Sequence, residues 1–484
     1  MPRLYFLLAV LLLVVRVGAA ERPPNIIFIL ADDLGYGELG CFGQKLIATP
    51  HLDHMAAEGM KFTQFYAGAP VCAPSRSVLV TGLHTGHTRV RGNAGKLNKK
   101  VQDLRAEDVT IAEILKKAGY ATALIGKWGL GQEGSEGAPN KKGFDYFYGY
   151  LDQQHAHNPY PPFIMRNNER VKLRNEIIPG SDGRKPGATE TAVGDGVAES
   201  PIDYVPDLMA EEALKWVTEN KDRPFFLYWA LVAPHANNEG TKVGRGQEAP
   251  DLGAYAEKPW PKPDRAHAAI VSRLDADAGQ LFAKLKELGL DENTFVIFSS
   301  DNGHHKEGGN DPELFDANGP LRGMKRDLTE GGIRMPTIAR WPGKVPAGST
   351  SAAALWFADL LPTFADLAGA KDTVPPKLDG ISFVSVLRQA ADASFPANRT
   401  FYWEFHEGGF SQAVLMEGHW KAIRNKRLDA PVALFDLTAD LGEEHDLAAE
   451  KPELITRAKE LFQSEHTDTP DWPIKEAPTG AKAK

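Results

Sequence analysis

The chain has 484 residues, 42% of them hydrophobic and 25% charged, with 46 Gly, 34 Pro and 2 Cys. That composition excludes a disulfide-stapled scaffold, a collagen-like fibre and a mostly disordered chain. The 55 Lys and Arg against 64 Asp and Glu give a net charge of −9. No basic stripe is interleaved with aromatics, which argues against nucleic-acid binding, and an anionic ligand would need positive charge gathered in one pocket.

Residues 1–20 start with Arg3, run apolar from Leu4 to Val15 and end in Val17-Gly18-Ala19-Ala20. The segment resembles a secretory signal peptide. It is too short for a membrane span, which takes about 20 apolar residues. Cleavage near Ala20 and a secreted or periplasmic protein without a stable membrane span are expected. In an oxidising compartment Cys41 and Cys72 could pair, and a bridge between them stands level with a functional thiol.

Four β-rich apolar runs each end in polar residues: Asn25–Leu30 before Asp32-Asp33, Ala121–Ile125 before Gly126-Lys127, Phe225–Val232 before His235, and Thr294–Ser300 before Asp301-Asn302. Helical stretches lie between them. Thr49-Pro50 starts one that runs through Ala57, Thr110 with Glu113 forms a capping box for another ending before Gly119, and Asp207–Thr218 and Ala266–Leu288 are longer. This rhythm predicts an α/β domain with a large, mostly parallel sheet flanked by helices. Ligands then sit where the strand ends converge. Residues 130–200 and 236–263 lack a clear period and read as loops over that face. From residue 398 the short runs Phe401–Phe405, Gln412–Glu417, Trp420–Arg424 and Val432–Asp436, followed by a helix at Pro452–Ser464, predict a small antiparallel sheet with one covering helix. The expected organisation is a signal segment at 1–20, a main domain at 21–397, a small α+β domain at 398–470 and a flexible tail at 471–484.

The most specific stretch is Val71-Cys72-Ala73-Pro74-Ser75-Arg76 through Leu79-Val80-Thr81-Gly82. Pro74 suits a first helical turn, placing Cys72 at a helix N-terminus where anions are favoured, with Arg76 on the same face. A thiol there would be nucleophilic; the alternative is a buried structural Cys. Asp32-Asp33-Leu34-Gly35 supplies adjacent hard oxygen ligands suited to calcium or magnesium. Asp301-Asn302-Gly303 offers two more, although Asn-Gly alone equally reads as a hairpin turn.

Cys72-x-Pro74-Ser75-Arg76 with Leu79-x-Thr81-Gly82 resembles the signature of the formylglycine-dependent sulfatases, members of the alkaline-phosphatase-like superfamily, and the resemblance spans residues 24–465. Gly126-Lys127-Trp128, Ala233-Pro234-His235 and Leu321-Arg322-Gly323-Met324-Lys325 resemble the family's lysine and histidine motifs. The resemblance implies an exported sulfatase acting on a sulfated carbohydrate, with Cys72 oxidised to formylglycine (3-oxoalanine) by a formylglycine-generating enzyme. It also implies one Ca2+, or Mg2+, held by Asp32, Asp33, Asp301, Asn302 and an oxygen of modified Cys72. Hydrated formylglycine would attack sulfur, His235 would protonate the leaving alcohol, and Arg76, Lys127 and Lys325 would offset the developing charge. Many members read G-K-W-H-L-G where this chain has Gly129; either His84, His87, His155, His157 or His304 replaces that histidine, or deprotonation of the hydrate relies on the metal and the lysines. His155 and His157, in the polar loop Tyr150–Tyr160, are candidate sugar contacts, and His419 is a further one from the C-terminal sheet. The alternatives are a non-catalytic sulfated-glycan-binding protein and a phosphoester or phosphonate hydrolase of the same superfamily.

Overall fold

The computed structural model describes residues 22–94, 99–181, 195–389, 395–396 and 398–477; the signal-like segment 1–20 lies outside them. Ten strands form the main sheet: β1 (Asn25–Ala31), β2 (Met60–Phe62), β3 (Ala121–Lys127), β4 (Tyr146–Tyr150), β5 (Phe163–Arg166), β6 (Glu169–Lys172), β7 (Phe225–Ala230), β8 (Thr294–Ser300), β9 (Thr337–Arg340) and β10 (Ser349–Ser351). Their order is β10-β2-β9-β8-β1-β7-β3-β4-β5-β6. The five central strands, β8-β1-β7-β3-β4, are all parallel, while β9, β5 and β6 pair antiparallel with their inner neighbours.

The central strands read as continuous apolar runs because both faces are covered. Ile26, Phe28 and Leu30 pack on one face beneath α2 (Cys72–Thr81), α3 (Ile111–Lys117) and α6 (Leu360–Leu367). Ile27, Ile29 and Ala31 pack on the other beneath α1 (Pro50–Glu58), α4 (Val205–Glu219) and α5 (Lys262–Glu287). Each of these Ile, Phe and Leu side chains contributes about 1.5–3 kcal/mol on burial. The capping box at Thr110 and Glu113 is formed in both directions. No helix among the described residues is long and apolar enough to cross a membrane.

The region 130–200 departs from the loop expectation, since β4, β5 and β6 extend the sheet there. The β5–β6 hairpin turns at Asn167, whose φ is 53°, and β6 is largely exposed with a polar sequence, Glu-Arg-Val-Lys. An edge strand facing water carries too little apolar alternation to read as a strand.

The C-terminal sheet has four antiparallel strands, β11 (Phe401–Phe405), β12 (Ser411–Met416), β13 (Trp420–Arg424) and β14 (Val432–Asp436), and is followed by α7 (Pro452–Ser464). Its alternation divides it cleanly. Phe401, Trp403, Phe405 and Leu415 enter the main core, whereas Tyr402, Val414, Met416 and Leu434 pack with Ala458 and Phe462 of α7. Lys421 joins the two parts through a fully buried ion pair with Glu330 at 2.7 Å. In the stretch expected to be a tail, Trp472 packs into the main core and the Ala477 N–H donates to the Lys426 carbonyl.

Candidate active site at the strand ends

The carboxyl ends of four adjacent parallel strands deliver their polar residues to one place: Asp32 and Asp33 from β1, Lys127 from β3, His235 beyond β7, and Asp301 and Asn302 from β8. Asp33 sits in left-handed backbone, φ 68°, a strain that persists where surrounding structure fixes a functional geometry. Its N–H donates to Asp301 Oδ1 at 3.1 Å, and Asn302 Nδ2 donates to Asp33 Oδ1 at 2.6 Å. Asn302-Gly303 is not a hairpin turn, because the Gly303 N–H bonds the Gly332 carbonyl. A Cβ at Gly303 would lie 1.9 Å from the Gly331 carbonyl oxygen.

Cys72 is the first residue of α2, as Pro74 implied. Burial pushes its thiol upward, against the pull of Lys127 and Lys325, so the unmodified side chain is a poorer nucleophile than its helix position promised. Cys41 and Cys72 are both free, so they form no bridge. Arg76, fully buried, donates from Nε and Nη2 to Asp301 Oδ2 at 3.0 and 2.8 Å and from Nη1 to the Lys127 carbonyl. Lys127 Nζ donates to Asp32 Oδ2 at 2.8 Å. Lys325 Nζ donates to Asp33 Oδ2 at 2.7 Å and to Glu307 Oε2 at 3.1 Å.

Burial and the neighbouring Asp32 carboxylate push Asp301 up to about 7. Burial also works to raise Asp33, but Lys325, His235 and His305 outweigh it and hold that carboxyl well below its usual range. The His235 imidazole is lowered well below its ordinary value by burial and by the Lys325 ammonium. Its Nδ1 lies 2.7 Å from the Ala236 carbonyl, which places the proton on Nδ1 and leaves Nε2 as an acceptor.

The donor set fits a hard divalent cation. Ligand atoms of Asp32, Cys72 and Asp301 lie within 4.8 Å of one another, as do those of Asp32, Asp33 and His235. Asp32 Oδ1 and Asn302 Oδ1 are buried without a hydrogen-bond partner. Orphaned carboxylate and amide oxygens of this kind are what calcium or magnesium coordinates.

A cavity of about 150 Å³ opens over this cluster, lined by Cys72, His235 and Lys325 together with Asn93, Gln102, Gln132, Asp152, Gln153, Gln154, His157, Asn238 and Arg326. A larger one, about 670 Å³, lies between Tyr204, Arg245 and Lys262 and contains none of the clustered residues. The cluster and the smaller cavity therefore define the site.

Of the candidate sugar contacts, His157 lines the cavity, stacked on His235 with ring centroids 4.7 Å apart. His155 does not: its Nε2 lies 2.9 Å from the Phe163 carbonyl and its ring packs between Tyr150 and Phe163. Among the candidates to stand in for a histidine at 129, His84 and His87 pair with Asp379 away from the cavity, and His304 is buried outside its lining. His419 points to the Glu417 carbonyl. The C-terminal sheet reaches the site instead through Glu407, which accepts from Arg326 and from the Asn93 N–H. Sequence reasoning missed His305, Glu307 and the cavity amides outside the Tyr150–Tyr160 loop, Asn93, Gln102, Gln132 and Asn238. His305 and Glu307 follow Asp301-Asn302-Gly303 in the same loop, and that proximity was the available signal.

A parallel sheet whose strand ends gather carboxylates, lysines and a helix-N-terminal cysteine defines a hydrolase site for an anionic ester. The chain belongs to the sulfatase family, whose model matches residues 24–370, and it is a sulfuric ester hydrolase. A second model, described as N-sulphoglucosamine sulphohydrolase, C-terminal, matches residues 324–465. N-acetylgalactosamine-6-sulfatase of Rattus norvegicus is 34% identical over 425 residues, covering 84% of this chain and 72% of that protein. Arylsulfatase A of Homo sapiens is 33% identical over 503 residues, covering 93% and 89%. Among solved structures, Ps i-CgsB in complex with k-i-k-neocarrahexaose superposes with a TM-score of 0.73 at 28% identity, covering 94% of this chain and 95% of that one.

Proposed function

We propose that the protein hydrolyses sulfate esters of a sulfated carbohydrate, using a formylglycine made from Cys72 and one calcium ion. The observation that carries the substrate class is the cavity lining. Six of its side chains, Asn93, Gln102, Gln132, Gln153, Gln154 and Asn238, are amides, and among the described residues no aliphatic or carbocyclic aromatic side chain joins them. Amides supply donors and acceptors for the hydroxyls of a sugar. An aryl or steroid group would leave Gln153 and Asn238, whose amides have unpartnered buried atoms, unpaired at about 1–3 kcal/mol each.

Asp32, Asp33, Asp301 and Asn302 would hold the cation, with an oxygen on modified residue 72. Calcium is favoured by the all-oxygen donor set, with magnesium the alternative. The cation and the formylglycine together supply an oxygen nucleophile of lowered pKa. Lys325, which lines the cavity, would bind the sulfate, and Arg76 and Lys127 behind it would add positive charge to offset what develops on its oxygens. Lys325 Nζ and His235 Nε2, 3.1 Å apart, hold a proton between them at the cavity wall and deliver it to the leaving alcohol. The retained lysines and the sequence around Cys72 favour turnover over mere glycan capture. The Leu4–Val15 segment supports export, and the Cys72-x-Pro74-x-Arg76 sequence supports a formylglycine-generating enzyme as maturation partner.

The test is the mass of the peptide spanning residue 72 after co-expression with such an enzyme, followed by turnover of sulfated sugars. Replacing the thiol CH₂SH by CHO lowers the mass by about 18 Da. An unmodified thiol in protein that still turns over sulfate esters would overturn the nucleophile assignment.

A further inference from the structure

Gln153 is only 9% exposed, yet neither Nε2 nor Oε1 of its carboxamide has a hydrogen-bond partner. A buried amide left unsatisfied costs about 1–3 kcal/mol and calls for an explanation in ligand or function. The side chain belongs to the wall of the cavity that also holds Cys72, His235 and Lys325.

Its neighbour across that wall is Gly129. The N–H groups of Trp128 and Gly129 donate to the carbonyls of Tyr150 and Leu151 at 2.9 and 3.0 Å, so the two segments run together beyond β3 and β4. Asp152 Oδ1 accepts from the N–H groups of Gln154 and His155, fixing the turn that carries residue 153. Gln102 Nε2 donates to the Gly129 carbonyl at 2.7 Å. A Cβ on Gly129, whose φ is +78°, would lie 2.0 Å from Gln153 Nε2 and 2.7 Å from its Cδ. A side chain at 129 would therefore push the Gln153 carboxamide, the far end of a flexible side chain, out of the position it holds.

We propose that the Gln153 carboxamide is a specificity-determining group that hydrogen-bonds a substrate hydroxyl near the scissile ester, and that residue 129 is glycine because the carboxamide uses that space. The inference rests on the sulfated-carbohydrate reading. A carboxamide offers donors and an acceptor, the pairing a sugar hydroxyl requires, and its terminal torsion is soft enough to turn it to the ligand.

The experiment compares kcat/KM on a sulfated monosaccharide and on 4-nitrophenyl sulfate, which has no ring hydroxyls. The proteins are wild type, Gln153→Ala, Gly129→Ala and the double variant, with thermal melting to confirm folding. Gln153→Ala is expected to lower the sugar-to-aryl ratio of kcat/KM about tenfold, chiefly through KM. Gly129→Ala displaces the amide and gives a similar drop, while the double variant falls no more than about threefold below the worse single one. Binding of the same sugar to Cys72→Ala protein, followed by calorimetry, weakens about tenfold when Gln153→Ala is added. An unchanged ratio and unchanged binding in Gln153→Ala overturn the proposal. Wild-type protein that turns over the aryl sulfate and neither binds nor cleaves any sulfated sugar overturns the parent reading instead, and this one with it.

Discussion

Lys325 donates from Nζ to Nε2 of His235 at 3.1 Å while the same ammonium pairs with Asp33. Burial and that ammonium lower the imidazole well below its ordinary value. On the proposed reading, the proton for the leaving group is shared by the pair.

Removing either partner should expose this. His235→Ala and Lys325→Met are each expected to lower kcat on a sugar sulfate by about 10²–10⁴-fold, the range for general acid catalysis. The loss on 4-nitrophenyl sulfate should be smaller, because a nitrophenolate departs without prior protonation. Steady-state kinetics on both substrates decides it; equal losses would make the pair an electrostatic clamp rather than a proton donor.

Cation binding is expected to stabilise the fold by mass action. Calcium at about 100 times its Kd should add about 2.7 kcal/mol, read as a rise in melting temperature over chelator-treated protein. Asn302→Ala, which removes an orphaned oxygen, should shrink that rise. A wild-type melting temperature indifferent to calcium and magnesium would contradict the metal assignment.

Far from the site, Asp277 on α5 gives a pH signature of stability. Burial, with Asp207 adding repulsion and Arg273 opposing it, pushes this carboxyl up to about 7, above its unfolded value of about 3.9. The folded state thus keeps the proton longer, and the stability contributed is full below about pH 4 and lost as pH rises through about 7. Asp277→Asn should melt several degrees above wild type at pH 8, with the gap closing toward pH 5. A gap independent of pH would assign the effect to packing.

Four of the five central strands, β8, β1, β7 and β3, were legible because burial on both faces writes them as apolar runs, and each ends in a residue that water or an ion must satisfy. Asp32, Asp33, Asp301 and Asn302 could be placed together on that logic, and Cys72 and Arg76 on their spacing. Lys127 and Lys325 came only through the family resemblance, since nothing local separates them from other basic residues. Gln153 and Gln154 lay in the polar loop Tyr150–Tyr160 that the sequence marked for a sugar, whereas Gln102, Gln132 and Asn238 were invisible, because amides bind through where the chain places them and carry no spacing of their own. His155 misled for the converse reason: a polar loop residue two positions from His157 turned inward to the Phe163 carbonyl.

The buried carboxylate of Glu330 draws on partners made at very different times during synthesis. Tyr66 donates to it at 2.9 Å from 264 residues upstream, and Lys421 from 91 residues downstream, with Glu443 closing on its N–H at 2.8 Å. Until Lys421 has left the ribosome, Glu330 has only Arg334, whose Nη1 donates to Oε2 at 3.1 Å, as a cationic partner in the core, and its other carboxylate oxygen lacks the Lys421 ammonium. Glu330 begins the short helix Glu330–Ile333, just after Lys325 and Arg326 in the chain. The sheet farthest from Cys72 in sequence thus supports, through Glu330 and through Glu407, which accepts from Arg326, the segment that carries Lys325 and Arg326 of the cavity wall. A chain stopped before residue 421 would yield a molecule unable to complete that wall rather than a smaller working enzyme.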